Sequence, residues 1–159
     1  HTLKKYNLFD LTIKWPNDIM TADKKISGIL IENNIRGNKI KHSIIGIGIN
    51  INQSEFKNLP NATSMFIETG KLNSVETIAQ ELHKTLEKNF DELKTNDSKI
   101  LNTYNSLLYK KNETSNFLAN DVSKFQGEII RVDINGEITI RKLNNQLCKY
   151  SESEIKLII

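Results

Sequence analysis

The chain has 159 residues, of which 38% are hydrophobic and 26% charged, and its formal net charge at pH 7 is +3. This composition is typical of a globular protein, so we expect one or two folded domains with a true hydrophobic core and no wholesale disorder. The net charge is small and the lysines are interleaved with acidic residues, which argues against nucleic-acid binding. No apolar run is long enough for a membrane span or signal peptide.

The first predicted element is a short strand over Leu11–Trp15, a run rich in β-branched and aromatic residues. Pro16 closes this strand because proline cannot donate a hydrogen bond to a ladder. Asn17 and Asp18 are therefore expected at a strand end, where their short polar side chains could help to hold an anion together with a nearby lysine.

Two long apolar-rich runs, residues 26–35 and 39–52, flank the turn sequence Arg36-Gly37-Asn38 and predict an antiparallel hairpin. In the first arm Ile29, Ile31 and Ile35 fall on one face, as in a half-buried strand, with Leu30 and Glu32 on the other.

The second arm of the hairpin alternates bulky isoleucines with Gly46, Gly48 and Asn50. One of its faces is therefore nearly bare, and a bare face lets a flat ligand approach the backbone. A dinucleotide-binding loop is rejected, because Ile51 replaces the third glycine of that motif and no helix follows.

The period changes to that of an amphipathic helix from Asn73 to Leu93, with Asn73 or Ser74 as the cap, and we expect this helix to pack on the sheet. A second helix is predicted to start at Asp97 as its cap. The residues predicted to be buried on the second helix are Ile100, Leu101, Tyr104, Leu107 and Leu108. The polar stretch 110–115 is the best candidate for a domain boundary.

Beyond that boundary the sequence predicts only short strands, at 117–118, 127–134, 137–143, 147–150 and 154–158. Asn135-Gly136 is the strongest signal for a two-residue hairpin turn in the chain. About 45 residues of short strands predict a miniature barrel that depends on its neighbour for stability.

Three motifs stand in a distinctive order: KWPND at 14–18, KISG at 25–28 and GIGIN at 46–50. This order resembles that of the biotin protein ligases, which activate biotin with ATP and attach it to a lysine of a carrier domain. The resemblance continues weakly through 62–65 and reappears in the C-terminal hairpins. It implies an α+β fold, in which residues 1–112 form part of a class II synthetase-like mixed or antiparallel sheet with packed helices. Residues 113–159 would form an SH3-like β-barrel.

The resemblance also assigns roles to individual residues. Lys25 matches the family's lysine that contacts biotin and the adenylate, whereas spacing alone would leave it a solvated lysine at a turn. Asn17 and Asp18 would face the activated intermediate, with Asp18 where the acceptor amine arrives, although Pro-Asn-Asp is also ordinary turn chemistry.

The predicted floor of the site consists of glycines that accept the biotin rings and the adenylate, namely Gly28, Gly46 and Gly48. Asn50 would pair with the edge of the adenine, since its amide offers both a donor and an acceptor. A glycine-pocked strand packed closely against a neighbour remains the alternative. We predict no metal site, because His1, His42 and His83 show no ligand spacing with each other or with Cys148.

By this resemblance the parent protein would use biotin and ATP, with Mg²⁺ on the phosphates, and would transfer biotin to a carboxylase carrier domain. The family's Gly/Arg-rich loop that wraps the phosphates is not among the 159 residues. We therefore interpret the chain as the C-terminal portion of a longer protein, inactive alone and prone to self-associate through an exposed sheet edge. A single cysteine excludes an intrachain disulfide, and we expect a cytoplasmic location.

Two other functions remain open. A lipoate–protein ligase shares the fold and also uses an Asn-Asp pair followed by a lysine before a glycine, although the KWPND and GIGININ strings favour biotin. A non-catalytic module whose small barrel binds a peptide is the alternative from another class.

Overall fold

The computed structural model describes residues 1–93 and 97–159, in which two compact units can be distinguished. The first unit comprises His1–Leu11 with Asn17–Leu86, and the second comprises Thr12–Pro16 with Glu87–Ile159. The predicted boundary near residue 112 stays a prediction. No helix in the described part of the chain is both long and apolar enough to cross a membrane.

The fold is of the α+β class, and its first element is a short 3-10 helix at Leu3–Tyr6. The strands are β1 (Leu11–Lys14), β2 (Asp18–Thr21), β3 (Lys24–Arg36), β4 (Lys39–Ile49), β5 (Thr114–Ala119), β6 (Lys124–Val132), β7 (Ile138–Lys142), β8 (Leu147–Tyr150) and β9 (Ile155–Leu157). The helices are α1 (Met65–Thr69), α2 (Val75–Leu93) and α3 (Asp97–Ser106).

In the first unit, β2, β3 and β4 are antiparallel neighbours, and β3 and β4 form the predicted hairpin. The hairpin turn contains Gly37 at a φ of 62°, a backbone conformation that glycine adopts without strain. Strand β2 was not predicted, because the proline before Asn17 suggested only a turn. Asp18 lies at the start of this strand rather than at the end of β1.

The half-buried face predicted for the first arm of the hairpin is wrong for its distal half. Ile31 and Ile35 are 54% and 64% exposed. The reason lies in the register, since β2 pairs with β3 only as far as Gly28. Beyond that point the hairpin is a two-stranded ribbon, and a register shift between Asn34 and Ile35 further disturbs the expected alternation.

The core of the first unit is a cluster of buried apolar residues from several elements: Leu3, Leu8, Ile26, Ile51, Met65 and Ile78. The helix predicted from Asn73 is confirmed as α2, and the Ser74 hydroxyl accepts a capping bond from the Thr77 N–H. Ile78 is fully buried, whereas Phe90 and Leu93, predicted for the same apolar stripe, are about half exposed. Helix α1 was not predicted, because five residues are too few to show a period.

The second unit contains a five-stranded antiparallel sheet with the strand order β8-β7-β6-β5-β9. Its core includes Trp15, Leu108, Phe117, Ile129, Val132, Ile138, Ile140 and Ile155. The Trp15 indole N–H donates to the Gly136 carbonyl at 3.0 Å, so this tryptophan belongs to the core as predicted. Helix α3 begins at Asp97 as predicted, but the side chain of Asp97, predicted as its cap, lies outside the described residues.

The hairpin predicted at Asn135-Gly136 is confirmed between β6 and β7, but its turn is longer than two residues. The Asp133 N–H donates to the Glu137 carbonyl, which leaves three residues in the loop. Gly136 has a φ of 81°, while Asn135 is not left-handed. This is the geometry of a three-residue loop closed by a left-handed glycine, the next most common hairpin connection.

Candidate functional site

Lys25 and Asp18 meet on the surface of the first sheet. The Lys25 Nζ lies 2.5 Å from Asp18 Oδ1, and their side chains are 47% and 22% exposed. An ion pair this accessible to water contributes only about 0–1 kcal/mol to stability. Its main consequence is therefore to fix the direction of the ammonium group.

The direction of Lys25 depends on an irregularity in β3. Asp18 pairs with Gly28 and Ile19 with Ser27, but the next residue of β2 pairs with Lys25, so one extra residue is inserted in β3. In a regular strand, residues 25 and 28 would point to opposite faces of the sheet, because side chains alternate. The inserted residue brings Lys25 to the face of Gly28, which is the usual effect of a β-bulge beside a site.

Gly28 provides the space in which this ion pair lies. A Cβ atom built on Gly28 would lie 3.1 Å from both Cε and Nζ of Lys25 and 3.4 Å from Asp18 Oδ1. These separations are shorter than an ordinary carbon contact of about 3.5–4.0 Å. The absence of a side chain at Gly28 therefore lets the Lys25 ammonium lie directly over the strand backbone.

Gly46 and Gly48 continue the same face of the sheet on β4. Gly48 pairs with Gly28, and Gly46 pairs with Leu30. A Cβ atom on either residue would meet no neighbour closer than 3.8 Å, and both positions are exposed. The protein itself thus does not require glycine here, and the alternative of close packing against a neighbouring segment has no support at these two positions.

Asn17 directly precedes β2 and Asn50 directly follows β4, and each makes a hydrogen bond within the first unit. The Asn17 carbonyl accepts from the Ile29 N–H at 3.0 Å, which extends the pairing of β3 by one residue beyond β2. The Asn50 amide Nδ2 donates to the Thr63 carbonyl at 2.9 Å, so this group has a partner within the protein. The role of Asn50 in binding adenine stays a prediction.

The segment Asn61–Ser64 was not predicted as part of the site, apart from the weak resemblance of residues 62–65. It forms a single parallel bridge to β3, in which Ala62 pairs with Lys25. The Lys25 N–H donates to the Asn61 carbonyl at 2.7 Å, and the Thr63 N–H donates to the Lys25 carbonyl at 2.9 Å. Sequence patterns could not reveal this contact, because a single bridge leaves no periodicity.

No group of three or more His, Cys, Asp or Glu residues that could hold a metal ion occurs in residues 1–93 and 97–159. The second unit contains a mostly apolar cavity of about 460 Å³, lined by residues that include Trp15, Leu101, Tyr104 and Val132. None of the predicted site residues lines it. The residues that the structure brings together are Lys25, Asp18 and Gly28, with Gly48 and Gly46 beside them.

Comparison with known proteins shows which sequences and structures this chain is similar to. Residues 1–50 match the model of the biotin/lipoate A/B protein ligase family. The bifunctional ligase/repressor BirA of Bacillus spizizenii is 36% identical over 89 residues, which covers 52% of this chain and 27% of that protein. The biotin–[acetyl-CoA-carboxylase] ligase of Paracoccus denitrificans is 42% identical over 41 residues, or 26% of this chain and 17% of that protein. The chain thus spans about a quarter or less of these curated relatives.

Solved structures show the same fold. The biotin protein ligase from Aquifex aeolicus in its apo form superposes with a TM-score of 0.80 at 24% identity, covering 99% of this chain and 69% of that one. The Aquifex protein in complex with biotin and ATP gives the same TM-score and identity, over 99% and 66% of the two chains. The resemblance predicted from the three motifs is confirmed by the family match and by these relatives.

Proposed function

We propose that this chain, which is related to the biotin protein ligases, supplies part of the active site of an ATP-dependent ligase that attaches biotin to a protein lysine. Two half-reactions would take place. Biotin and ATP first give biotinyl-5′-AMP and pyrophosphate, and the ε-amine of a carrier-domain lysine then displaces AMP. The single observation that carries the proposal is the Lys25 ammonium held over Gly28 by Asp18.

In the first half-reaction a carboxylate oxygen of biotin bonds to the α-phosphorus of ATP, and the bond to pyrophosphate breaks. Two anions must approach each other, and negative charge grows on the phosphoryl oxygens. A positioned ammonium offsets that charge without reorganising during the reaction. Removal of one such donor costs about 3 kcal/mol, or roughly 10²-fold in rate.

In the second half-reaction the acceptor amine bonds to the acyl carbon, the bond between that carbon and the AMP oxygen breaks, and the amine loses a proton. Asp18 lies within contact distance of the Lys25 ammonium and is partly open to solvent. A carboxylate in this position can attract and orient an incoming ammonium group, and it can accept the proton that the amine releases.

The rest of the site would bind rather than react. The exposed, side-chain-free positions Gly46 and Gly48 extend the floor beyond Gly28, which suits flat groups such as the biotin rings and the adenylate. Asn17 and Asn50 remain proposed as polar contacts to these ligands. ATP would enter as its magnesium complex, with the metal bound by the phosphates of the substrate.

We also propose the finer description of the fold. The sheet of the first unit would be part of a class II synthetase-like catalytic domain, and the five-stranded sheet would be an SH3-like domain. Five short antiparallel strands around one apolar core, in the order β8-β7-β6-β5-β9, support the second assignment. The carrier domain of a biotin-dependent carboxylase is the proposed protein partner.

A matched pair of variants tests the role of Lys25. Lys25→Gln removes the ammonium over Gly28, whereas Lys24→Gln removes an exposed lysine one residue away. We expect biotin-dependent exchange of pyrophosphate into ATP by the whole protein to fall about 10²-fold for Lys25→Gln and to stay unchanged for Lys24→Gln. Equal rates for the two variants would contradict the proposal.

Calorimetric titration with biotin and with lipoate distinguishes the remaining candidates. Binding of biotin alone supports the proposal, and binding of lipoate alone identifies the lipoate–protein ligase that the matched family also includes. Binding of neither biotin nor lipoate would favour the non-catalytic module, especially if Lys25→Gln leaves pyrophosphate exchange unchanged.

The 159-residue chain expressed by itself is proposed to form the adenylate slowly. Its sequence includes Lys25, Asp18 and Gly28 but no Gly/Arg-rich loop to wrap the phosphates. The exposed residues Leu30, Ile31, Ile35, Ile40 and Ile44 of the β3–β4 hairpin support self-association of this chain. Pyrophosphate exchange at the rate of the whole protein would contradict slow formation of the adenylate. Light scattering that shows only a monomer at high concentration would contradict self-association.

A further inference from the structure

We propose that Asn50 is a positioning residue for Lys25 and acts through the segment Asn61–Thr63. This inference rests on the proposed function of Lys25. The Asn50 side chain donates from its amide Nδ2 to the Thr63 carbonyl at 2.9 Å. Its effect on the ammonium would pass through the backbone on both sides of Lys25.

The backbone of Lys25 is held by this segment on both of its polar groups. The Lys25 N–H donates to the Asn61 carbonyl at 2.7 Å, and the Lys25 carbonyl accepts from the Thr63 N–H at 2.9 Å. Lys25 lies where the register of β3 shifts, so regular ladder pairing does not by itself determine which way its side chain points. The parallel segment therefore stabilises the bulged conformation that directs the ammonium over Gly28.

Asn50 connects this segment to the strand. Its backbone N–H donates to the carbonyl of Ile26, the residue after Lys25, at 2.9 Å, while its side chain binds the Thr63 carbonyl. Thr63 is fully buried, and its hydroxyl donates to Glu68 Oε1 at 2.6 Å. Loss of the Asn50 amide would leave the buried Thr63 carbonyl without this donor and loosen the segment against Lys25.

The positioning role and the predicted adenine contact have different kinetic consequences. A displaced ammonium weakens an interaction that grows in the transition state, so it lowers kcat. A lost contact to adenine weakens the binding of ATP in the ground state and raises the KM for ATP with kcat unchanged. The ratio of the two effects therefore separates the two roles.

Asn52 offers a matched control, because its amide also bonds to a backbone group, the Asn73 carbonyl, at 2.8 Å. In pyrophosphate exchange by the whole protein, we expect Asn50→Ala to lower kcat at least tenfold, since a misplacement of about 1 Å costs about 10². Asn52→Ala should retain the wild-type kcat. Added to Lys25→Gln, Asn50→Ala should have no further effect, because both changes remove the same contribution.

A rise in the KM for ATP alone, or fully multiplicative effects in the double variant, would overturn the proposal. Where Asn50→Ala does not fold, Asn50→Ser replaces it, and its shorter donor is expected to give a smaller loss of kcat in the same direction. An unchanged kcat in Asn50→Ser would also count against the positioning role.

Amide hydrogen exchange tests the same inference without any activity. The amides of Lys25 and Thr63 should exchange about five- to tenfold faster in Asn50→Ala and unchanged in Asn52→Ala, as expected when one net hydrogen bond is lost. Unchanged exchange at both amides would refute the positioning role even in an active ligase. Faster exchange in a protein that binds neither biotin nor lipoate would retain the structural link and reject the proposed function.

Discussion

Replacing Gly28 with alanine perturbs the Lys25–Asp18 pair while leaving the rest of the fold in place. The added Cβ would lie 3.1 Å from Cε and Nζ of Lys25, so the ammonium must move by about half an ångström to reach an ordinary contact distance. The obstructed atoms are the far end of a half-exposed side chain, which can yield. Alanine is also favoured over glycine in a strand by roughly 0.5–1 kcal/mol, so the free energy of unfolding should stay within about 1 kcal/mol.

The catalytic effect should be much larger than the effect on stability. Since a misplacement of about 1 Å costs about 10², half that distance predicts a loss of about tenfold in kcat. Pyrophosphate exchange and denaturant unfolding, both on the whole protein, measure the two effects. Gly46→Ala is the comparison, because its Cβ would meet nothing closer than 3.8 Å and should leave the ion pair and kcat in place, while its position in the proposed binding floor would affect only the KM for a substrate. If a crystal structure of Gly28→Ala shows the Lys25 ammonium displaced and the variant keeps the wild-type kcat, the reasoning is refuted.

Three further predictions concern stability. Gly127→Ala should lower the free energy of unfolding by about 1–3 kcal/mol in a denaturant titration, because its Cβ would come within 2.8 Å of the Arg141 carbonyl oxygen, a backbone atom that cannot easily move. Ser64→Ala should cost about 1–2 kcal/mol by the same measurement, since its buried hydroxyl caps α1; an unchanged midpoint would contradict this. The Lys149 ammonium lowers the pKa of Asp133 below its usual 3.8, so the pair contributes stability above about pH 4 that is lost as the pH falls through the lower, folded pKa. Asp133→Asn should therefore flatten that acid limb, and a carboxyl NMR titration at the ordinary pKa would disprove the cause.

The sequence predicted most of the regular elements because their signals are local. The hairpin of β3 and β4 follows from two apolar runs around Gly37, and α2 follows from a period of three to four residues. The short elements β2 and α1 were missed, since four or five residues carry too little pattern. The exposure of Ile31 was also missed, because alternation shows which residues share a face but not whether another layer covers that face.

What the sequence by itself determined is the chemical inventory of the site: a lysine, an Asn-Asp pair and three glycines in an order that resembles one family. Only the tertiary structure decided how the inventory is arranged. The extra residue in β3 turns Lys25 toward Gly28, and the segment that includes Asn61 and Thr63 holds it there. The physical reason is that a one-residue change of register reverses the face of a side chain, and register depends on partners distant in sequence.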